Sequence, residues 1–184
     1  MTNYPGSLHN HTQYSNLRLR DCIIKEDDLI KYAVELGHEV VAITDHEAVS
    51  AHVRANQYHQ KILKDNPEFK LALGNEIYLV KDREPGQKYY HFILIAKNAM
   101  GHRALRELSS RAWLNSYFDR GMERVPTLKS ELYDVVMKYP GHLIATTACM
   151  GGELSTLAYA MARAEAVGDQ ATAQEHKQNI IQFL

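Results

Sequence analysis

The sequence predicts an α/β fold from three observations. Apolar runs of strand length alternate with segments of helical period, those runs are nearly continuous, as in sheets covered on both faces, and 184 residues suffice for one core. The first element is a short segment around Ser7–Leu8 that ends in the polar run His9-Asn10-His11-Thr12. A helix follows from about Glu26, with Leu29, Ile30, Ala33, Val34 and Leu36 on one face and Gly37 placed to stop it. Glu39 to Thr44 reads as a buried strand ending at Asp45-His46, and a second helix fits Val49 to Leu63, ahead of the breaker Asn66-Pro67. Lys70 to Val80 reads as a strand with Gly74 inside it, Asp82 to Gln87 as a turn, and Tyr89 to Ala96 as a strand followed by a helix from Ala99 to Asn115. Pro126 is expected at the first position of the next helix, Leu128 to Tyr139, which Pro140-Gly141 closes. His142 to Thr146 is one more strand ahead of Ala148-Cys149, and Leu154–Ala166 and Gln170–Phe183 are two Ala-rich helices about Gly168. Strands and helices in this rhythm predict βαβ units and a largely parallel sheet.

Composition narrows the function classes. Hydrophobic residues at 45% and charged residues at 23% exclude a disordered or collagen-like chain. A formal net charge of -1 gives no whole-chain attraction to nucleic acid or membrane, so any such contact rests on a local patch. Cys22 and Cys149 form no paired framework, which fits a reducing compartment. The polar N-terminus and the lack of a membrane-length apolar run predict a cytoplasmic protein that makes no membrane contact. No G-x-S-x-G supports a serine hydrolase and no G-x-x-x-x-G-K supports a phosphate loop.

The ten histidines carry the chemical signal through their positions. His9, His11, Asp45, His46, Glu76, His91 and Cys149 all fall at or near strand ends, where α/β folds of barrel type assemble sites. In an extended segment His-x-His presents two imidazoles to one cation. Each residue also has a plainer reading: His9 and His11 as loop polarity, Asp45 as a helix cap, His91 as a core histidine, Cys149 as a small hydrophobe. Glu76 is harder to dismiss, because a carboxylate in an apolar strand needs a cation or a proton. Together they favour a multi-metal site suited to phosphoester hydrolysis, with zinc, manganese or iron preferred and magnesium admitted. His38, His52, His59, His102, His142 and His176 show no such convergence and read as surface or structural residues. A basic stretch, Lys97, Arg103, Arg106, Arg111, Arg120, Arg124 and Lys129, with Trp113, Tyr117 and Phe118, offers a nucleic-acid contact; a solvated helix face with packed aromatics is the favoured alternative.

Leu8-His9-Asn10-His11-Thr12 with Tyr14-Ser15, Ile43-Thr44-Asp45-His46 and Gly74-Asn75-Glu76 resemble the polymerase and histidinol phosphatase (PHP) domain. The segments His91 to Asn98 with Gly101 and Leu105, and Ala145 to Glu153, resemble in particular the N-terminal region of bacterial DNA polymerase III alpha subunits. The resemblance implies a distorted (β/α)7 barrel, up to three divalent metal ions and, where ligands are kept, 3′–5′ exonuclease activity. It implies His9, His11, His46, Glu76, His91 and Cys149 as metal ligands, Asp21 as the early acidic ligand, and Asp45 among the catalytic residues. The family's final Asp-x-His pair has no counterpart after Cys149, so residues 1–184 are expected to be a partial PHP domain without polymerase domains. The implied partners are DNA, the rest of the polymerase subunit and a separate proofreading subunit. Two alternatives stand beside this reading: a phosphatase acting on a small phosphomonoester such as histidinol phosphate, and a non-catalytic scaffold.

Overall fold

A computed structural model of the chain describes residues 5–17, 20, 22–84, 86–119 and 121–183. The expected Asp21 ligand and Arg120 of the basic stretch lie outside the described residues. Eleven residues, Lys70–Val80, form the longest strand, β3, continuously buried from Gly74 onward, and the sheet is organised around it. β1 (Gly6–Ser7) pairs with β2 (Val40–Ile43) and β2 with β3, both in parallel, with Ile43 opposite Leu73. β4 (Tyr90–Ala96) runs antiparallel to β3 with Glu76 opposite Ile93. β5 (Tyr117–Asp119) and β6 (Met122–Arg124) form a separate hairpin, and β7 (Thr127–Leu128) pairs in parallel with the end of β3. β8 (Leu143–Thr146) then pairs antiparallel with β4, giving the order β1-β2-β3-β4-β8.

The fold class is α/β, but the sheet is mixed where a largely parallel one is predicted. The reason is local: only the segment from Lys81 to Tyr89 joins β3 to β4, and a parallel crossover needs a dozen or more residues. Among the described residues β1 and β8 are the two edges, so the sheet is open.

The helices cover one face. α1 (Glu26–Glu35) and α2 (His52–Ile62) bury Val41 and Ile43 among Ile30, Ala33, Ala51 and Ala55. α3 (Ala99–Leu114) and α4 (Lys129–Lys138) cover Ile77, Leu79 and Leu94 with Leu105, Leu108, Val135 and Tyr139. Period-two alternation therefore sends Glu76 and Tyr78 of β3, and His91, Ile93 and Ile95 of β4, to the opposite face, where Ile93 and Ile95 pack with Ala42 and Ala72. α5 (Glu153–Ala166) and α6 (Gln170–Phe183) pack on each other. No helix among the described residues is long and apolar enough to cross a membrane.

Two helix starts and one hairpin differ from expectation. α2 starts at His52 rather than Val49, and α4 starts at Lys129 rather than beside Pro126, because Thr127-Leu128 are first drawn into pairing with Leu79-Val80. The β5–β6 hairpin has no sequence prediction; its turn uses Gly121 at φ 76°.

Gly101 sets how closely α3 approaches β8. A Cβ there would lie 2.1 Å from the His142 carbonyl oxygen and 3.1 Å from Ala96 Cα, both backbone atoms that cannot rotate away. Gly101→Ala is expected to cost about 1–3 kcal/mol of stability as α3 is pushed outward. Urea denaturation reads this directly, and an unchanged midpoint would count against the close packing.

A second prediction concerns acid stability. Burial lowers the pKa of His52 from 6.5 to about 4, helped by the charge of His102 and opposed by the hydrogen bond to the Gly74 carbonyl. His52 links α2 to β3 through Nε2 and the Gly74 carbonyl, 2.9 Å apart, with Nδ1 3.0 Å from His102 Nε2. Because the folded-state pKa is the lower one, the contribution of His52 to stability is complete above about pH 6.5 and is lost as pH falls through about 4. The loss is on the order of 3 kcal/mol. His52→Gln should therefore flatten the fall in stability between pH 6.5 and 4; denaturation curves of the two proteins that fall in parallel would refute it.

Candidate metal centre

The His-x-His segment is fixed by the residue between its two histidines. Asn10 Nδ2 donates to the carbonyls of Ala42 (3.0 Å) and Ser7 (3.1 Å), and its backbone is bonded to Thr44 in both directions. This stitches the segment to the end of β2 and turns His9 and His11 to one side. Asp45, fully buried, accepts from Thr12 N (2.5 Å), Thr12 Oγ1 (2.8 Å) and Ser15 Oγ (2.8 Å). Ser15 Oγ also lies 3.1 Å from His11 Nδ1 and accepts from His46 N.

These contacts bring four imidazoles to one carboxylate. Glu76, 0% exposed, has Oε2 3.1 Å from both His9 Nε2 and His11 Nε2 and 3.2 Å from His46 Nδ1, while Oε1 is 2.8 Å from His91 Nδ1. Cys149 Sγ completes the edge, 3.6 Å from His91 Nδ1 and 4.0 Å from Glu76 Oε1. Burial alone would raise the Glu76 pKa; hydrogen bonds from His11 and His91 and the charges of His46 and His9 outweigh it and hold the carboxyl well below the usual range.

The donor set fits divalent metal. Two triads, His9-His11-Glu76 and His46-Glu76-His91, each place their ligand atoms within 4.8 Å of one another and share Glu76. The 3.0 Å between the two Nε2 atoms of His9 and His11 is close to the roughly 3.3 Å that separates ligands on a tetrahedral zinc with bonds of about 2.0–2.1 Å. Imidazole, carboxylate and thiol donors together suit zinc, manganese and iron.

Six of the expected site residues thus converge. His91 arrives by an unexpected route: it stands at the start of β4, and the reversal of that strand carries its N-terminal end to the edge where β2 and β8 finish. Asp45, expected among the catalytic residues, lies beside the centre with both carboxylate oxygens bonded to the Thr12–Ser15 turn and belongs to neither triad. It does not cap α2 either, which begins seven residues later at His52.

The structure adds residues that the sequence pattern does not single out. Tyr78, two positions beyond Glu76 on the same face, has its hydroxyl 3.2 Å from His46 Nδ1 and its ring 4.7 Å from that of His91. Period-two reading from Glu76 would have found it. Glu47 and Ala148, each next to a candidate ligand, have φ of 51° and 57°, a left-handed conformation costing about 1–2 kcal/mol in a non-glycine residue. Glu47 is clamped by its N–H to the Glu76 carbonyl and by the Trp113 indole donating to its own carbonyl at 2.7 Å. Gly151 and Gly152 lack phosphate-loop context but let the Cys149 loop lie against His91: a Cβ on Gly151 would lie 2.9 Å from that ring, and one on Gly152 2.1 Å from the Thr147 carbonyl oxygen.

The basic stretch does not form one free surface. Arg111 pairs with Glu107 and Lys129 with Glu153, both at 2.7 Å. Trp113 is bound to Glu47, and the Tyr117 hydroxyl lies 2.7 Å from that of Tyr89.

Comparison with known proteins places this geometry in context. Residues 7–184 match the family model described as PHP domain. The chain is 42% identical over 187 aligned residues to a DNA-directed DNA polymerase of Bacillus phage SPbeta, covering 96% of this chain and 14% of that protein. It is 32% identical over 157 residues to the DNA polymerase III subunit alpha of Treponema pallidum (strain Nichols), covering 82% of this chain and 12% of that protein. The chain therefore spans about one seventh or less of the length of these relatives. A solved candidate metal-dependent phosphoesterase from Bifidobacterium adolescentis aligns at 21% identity with a TM-score of 0.39, over 59% of this chain and 35% of that one.

Proposed function

The chain belongs to the PHP domain family, and from that premise we propose that it is the metal-dependent phosphoesterase module of a replicative DNA polymerase, removing nucleotides from the 3′ end of DNA. The observation that carries this reading is the carboxylate of Glu76 with four imidazole nitrogens within 3.2 Å, forming two triads that share one bridging residue. In this reading His9, His11, His46, Glu76, His91 and Cys149 are the ligands. A divalent ion held there supplies Lewis-acid polarisation of the phosphoryl group and lowers the pKa of an attacking water.

The chain's own residues do the rest. Glu76 fixes the relation of the two triads, Asp45 and Ser15 fix the ring of His11, and Tyr78 holds a hydroxyl against His46 at the inner side of the centre. The open β8 edge fits a partial barrel whose remaining strands are supplied elsewhere in the polymerase polypeptide. The polymerase relatives support DNA and the polymerase body as partners.

The test is hydrolysis of a 3′-labelled single-stranded primer by protein reconstituted with manganese or zinc. Stepwise shortening that chelation abolishes and manganese restores is the expected result. Inertness of protein carrying stoichiometric metal would sink the exonuclease reading, and faster turnover of histidinol phosphate than of DNA would replace it with a phosphatase.

A further inference from the structure

Beyond the candidate ligands, an aromatic path leads outward from the centre and ends on a cation. Tyr78 touches His46 and His91; its ring lies 6.4 Å from that of Tyr89, and Arg124 of β6 sits over Tyr89 with its guanidinium carbon 5.2 Å from the ring centre. The Tyr89 and Tyr117 hydroxyls, 2.7 Å apart, tie the β5–β6 hairpin to the start of the strand that carries His91. Pairing of Tyr117 with Arg124 puts both on the hairpin face turned toward Tyr89, with Asp119 and Met122, whereas Phe118 and Glu123 take the other face.

The surroundings of Arg124 are unlike those of its neighbours. Arg83, Arg111 and Lys129 each lie 2.7 Å from a glutamate, but no ion pair joins Arg124 to a carboxylate among the described residues. Its Nη1 lies 3.3 Å from the Met122 sulfur and its Nε has no hydrogen-bond partner. Asp119, on the same face, acts on Tyr89 through its charge without pairing with the guanidinium. A half-buried arginine held over an aromatic ring with no paired carboxylate keeps its charge and its planar fork for an anion from outside.

We propose that Arg124 binds a backbone phosphate of single-stranded DNA upstream of the linkage at the metal centre and thereby makes the site select a polynucleotide over a small phosphoester. The inference rests on the phosphoesterase reading above. Two tyrosine rings stand between Arg124 and His91, so a lone phosphoester seated at the ligands is out of its reach, while a chain of nucleotides extending from the centre past the half-buried Tyr89 brings a further phosphate to the guanidinium. Hydrogen bonds from a rigidly held guanidinium position the strand without reading its sequence.

The experiment compares the 184-residue protein with Arg124→Ala and Arg124→Lys on two manganese-dependent reactions, a 3′-labelled single-stranded oligonucleotide and bis-p-nitrophenyl phosphate. The expected result is about a tenfold fall in kcat/KM for the oligonucleotide in Arg124→Ala, partial recovery in Arg124→Lys, and an unchanged rate on the small diester. A parallel arm measures binding of a fluorescein-labelled phosphorothioate oligonucleotide by anisotropy at several salt concentrations. There Arg124→Ala should bind more weakly with a log–log salt slope shallower by about 0.7, the share of one phosphate contact on a single strand. Phe118→Ala, on the other face of the hairpin, serves as the control and should leave the slope unchanged. Equal losses on both substrates, or unchanged affinity and slope in Arg124→Ala, would overturn the proposal. Were the wild-type protein to cleave neither substrate, the phosphoesterase reading would fail, and the binding arm would still decide the role of Arg124.

Discussion

Glu76→Gln is expected to strip both triads of metal at once and to lower any phosphoester hydrolysis by more than about a hundredfold, beyond the loss typical of an outer-shell partner. The size of the effect follows from geometry. One carboxylate oxygen faces His9, His11 and His46 and the other faces His91, so no other side chain belongs to both triads. Glutamine keeps the shape, but it replaces one acceptor oxygen with an N–H pair and removes the buried negative charge that offsets a divalent ion. His9→Ala is the informative contrast, since it damages the triad with His11 and leaves His46, Glu76 and His91 in place. Elemental analysis after reconstitution should therefore find near-total loss in Glu76→Gln and partial loss in His9→Ala, with far-UV circular dichroism unchanged in both. Wild-type stoichiometry in Glu76→Gln would remove Glu76 from the centre and take the two-triad reading with it.

Much of this centre is legible in the sequence because its parts are local. His-x-His in an extended segment, Asp-His at the end of an apolar run and a glutamate inside another are visible without a fold, and strand ends are where loops gather. The strands themselves are legible for the same reason: Lys70 to Val80 is predicted at the bounds the structure shows. What escapes depends on pairing. The direction of β4 follows from a connection too short for a crossover, a signal present in residues 81–89 but hidden by the α/β rhythm around it. Thr127-Leu128 and the β5–β6 hairpin are too short to show a period, and only contact with Leu79-Val80 or across the Gly121 turn makes them strands. Asp45 is the instructive difference at the site. Its neighbour His46 enters the centre, yet period-two geometry sends the two side chains to opposite sides, and Asp45 meets the Thr12–Ser15 turn instead.

Asp45→Ala is accordingly expected to act first on the fold. Thr12, Ser15 and Asp45 are each 0% exposed, and the carboxylate receives one backbone N–H and two hydroxyls. Alanine leaves all three donors buried without an acceptor, a loss of about 3–5 kcal/mol by analogy with breaking a buried charged network. For a chain of this length that corresponds to roughly 10 °C in Tm. The centre should suffer second: without Asp45, Ser15 Oγ is held only by the bond from His46 N, its 3.1 Å contact with the His11 ring loosens, and metal affinity at His9-His11-Glu76 should fall tenfold to a hundredfold. Asp45→Asn separates this holding role from a catalytic one. Its amide oxygen, in the place of Oδ1, can still accept from Thr12 N and Ser15 Oγ, and the Thr12 hydroxyl can turn to accept from its NH2, so the stability loss should be about half that of alanine. Under the holding role, stability and metal affinity decline together from Asn to Ala, and activity at saturating metal follows occupancy. A carboxylate acting on substrate would instead show Asp45→Asn with near-normal Tm and full metal occupancy but lost turnover, a pattern that would return Asp45 to the catalytic group.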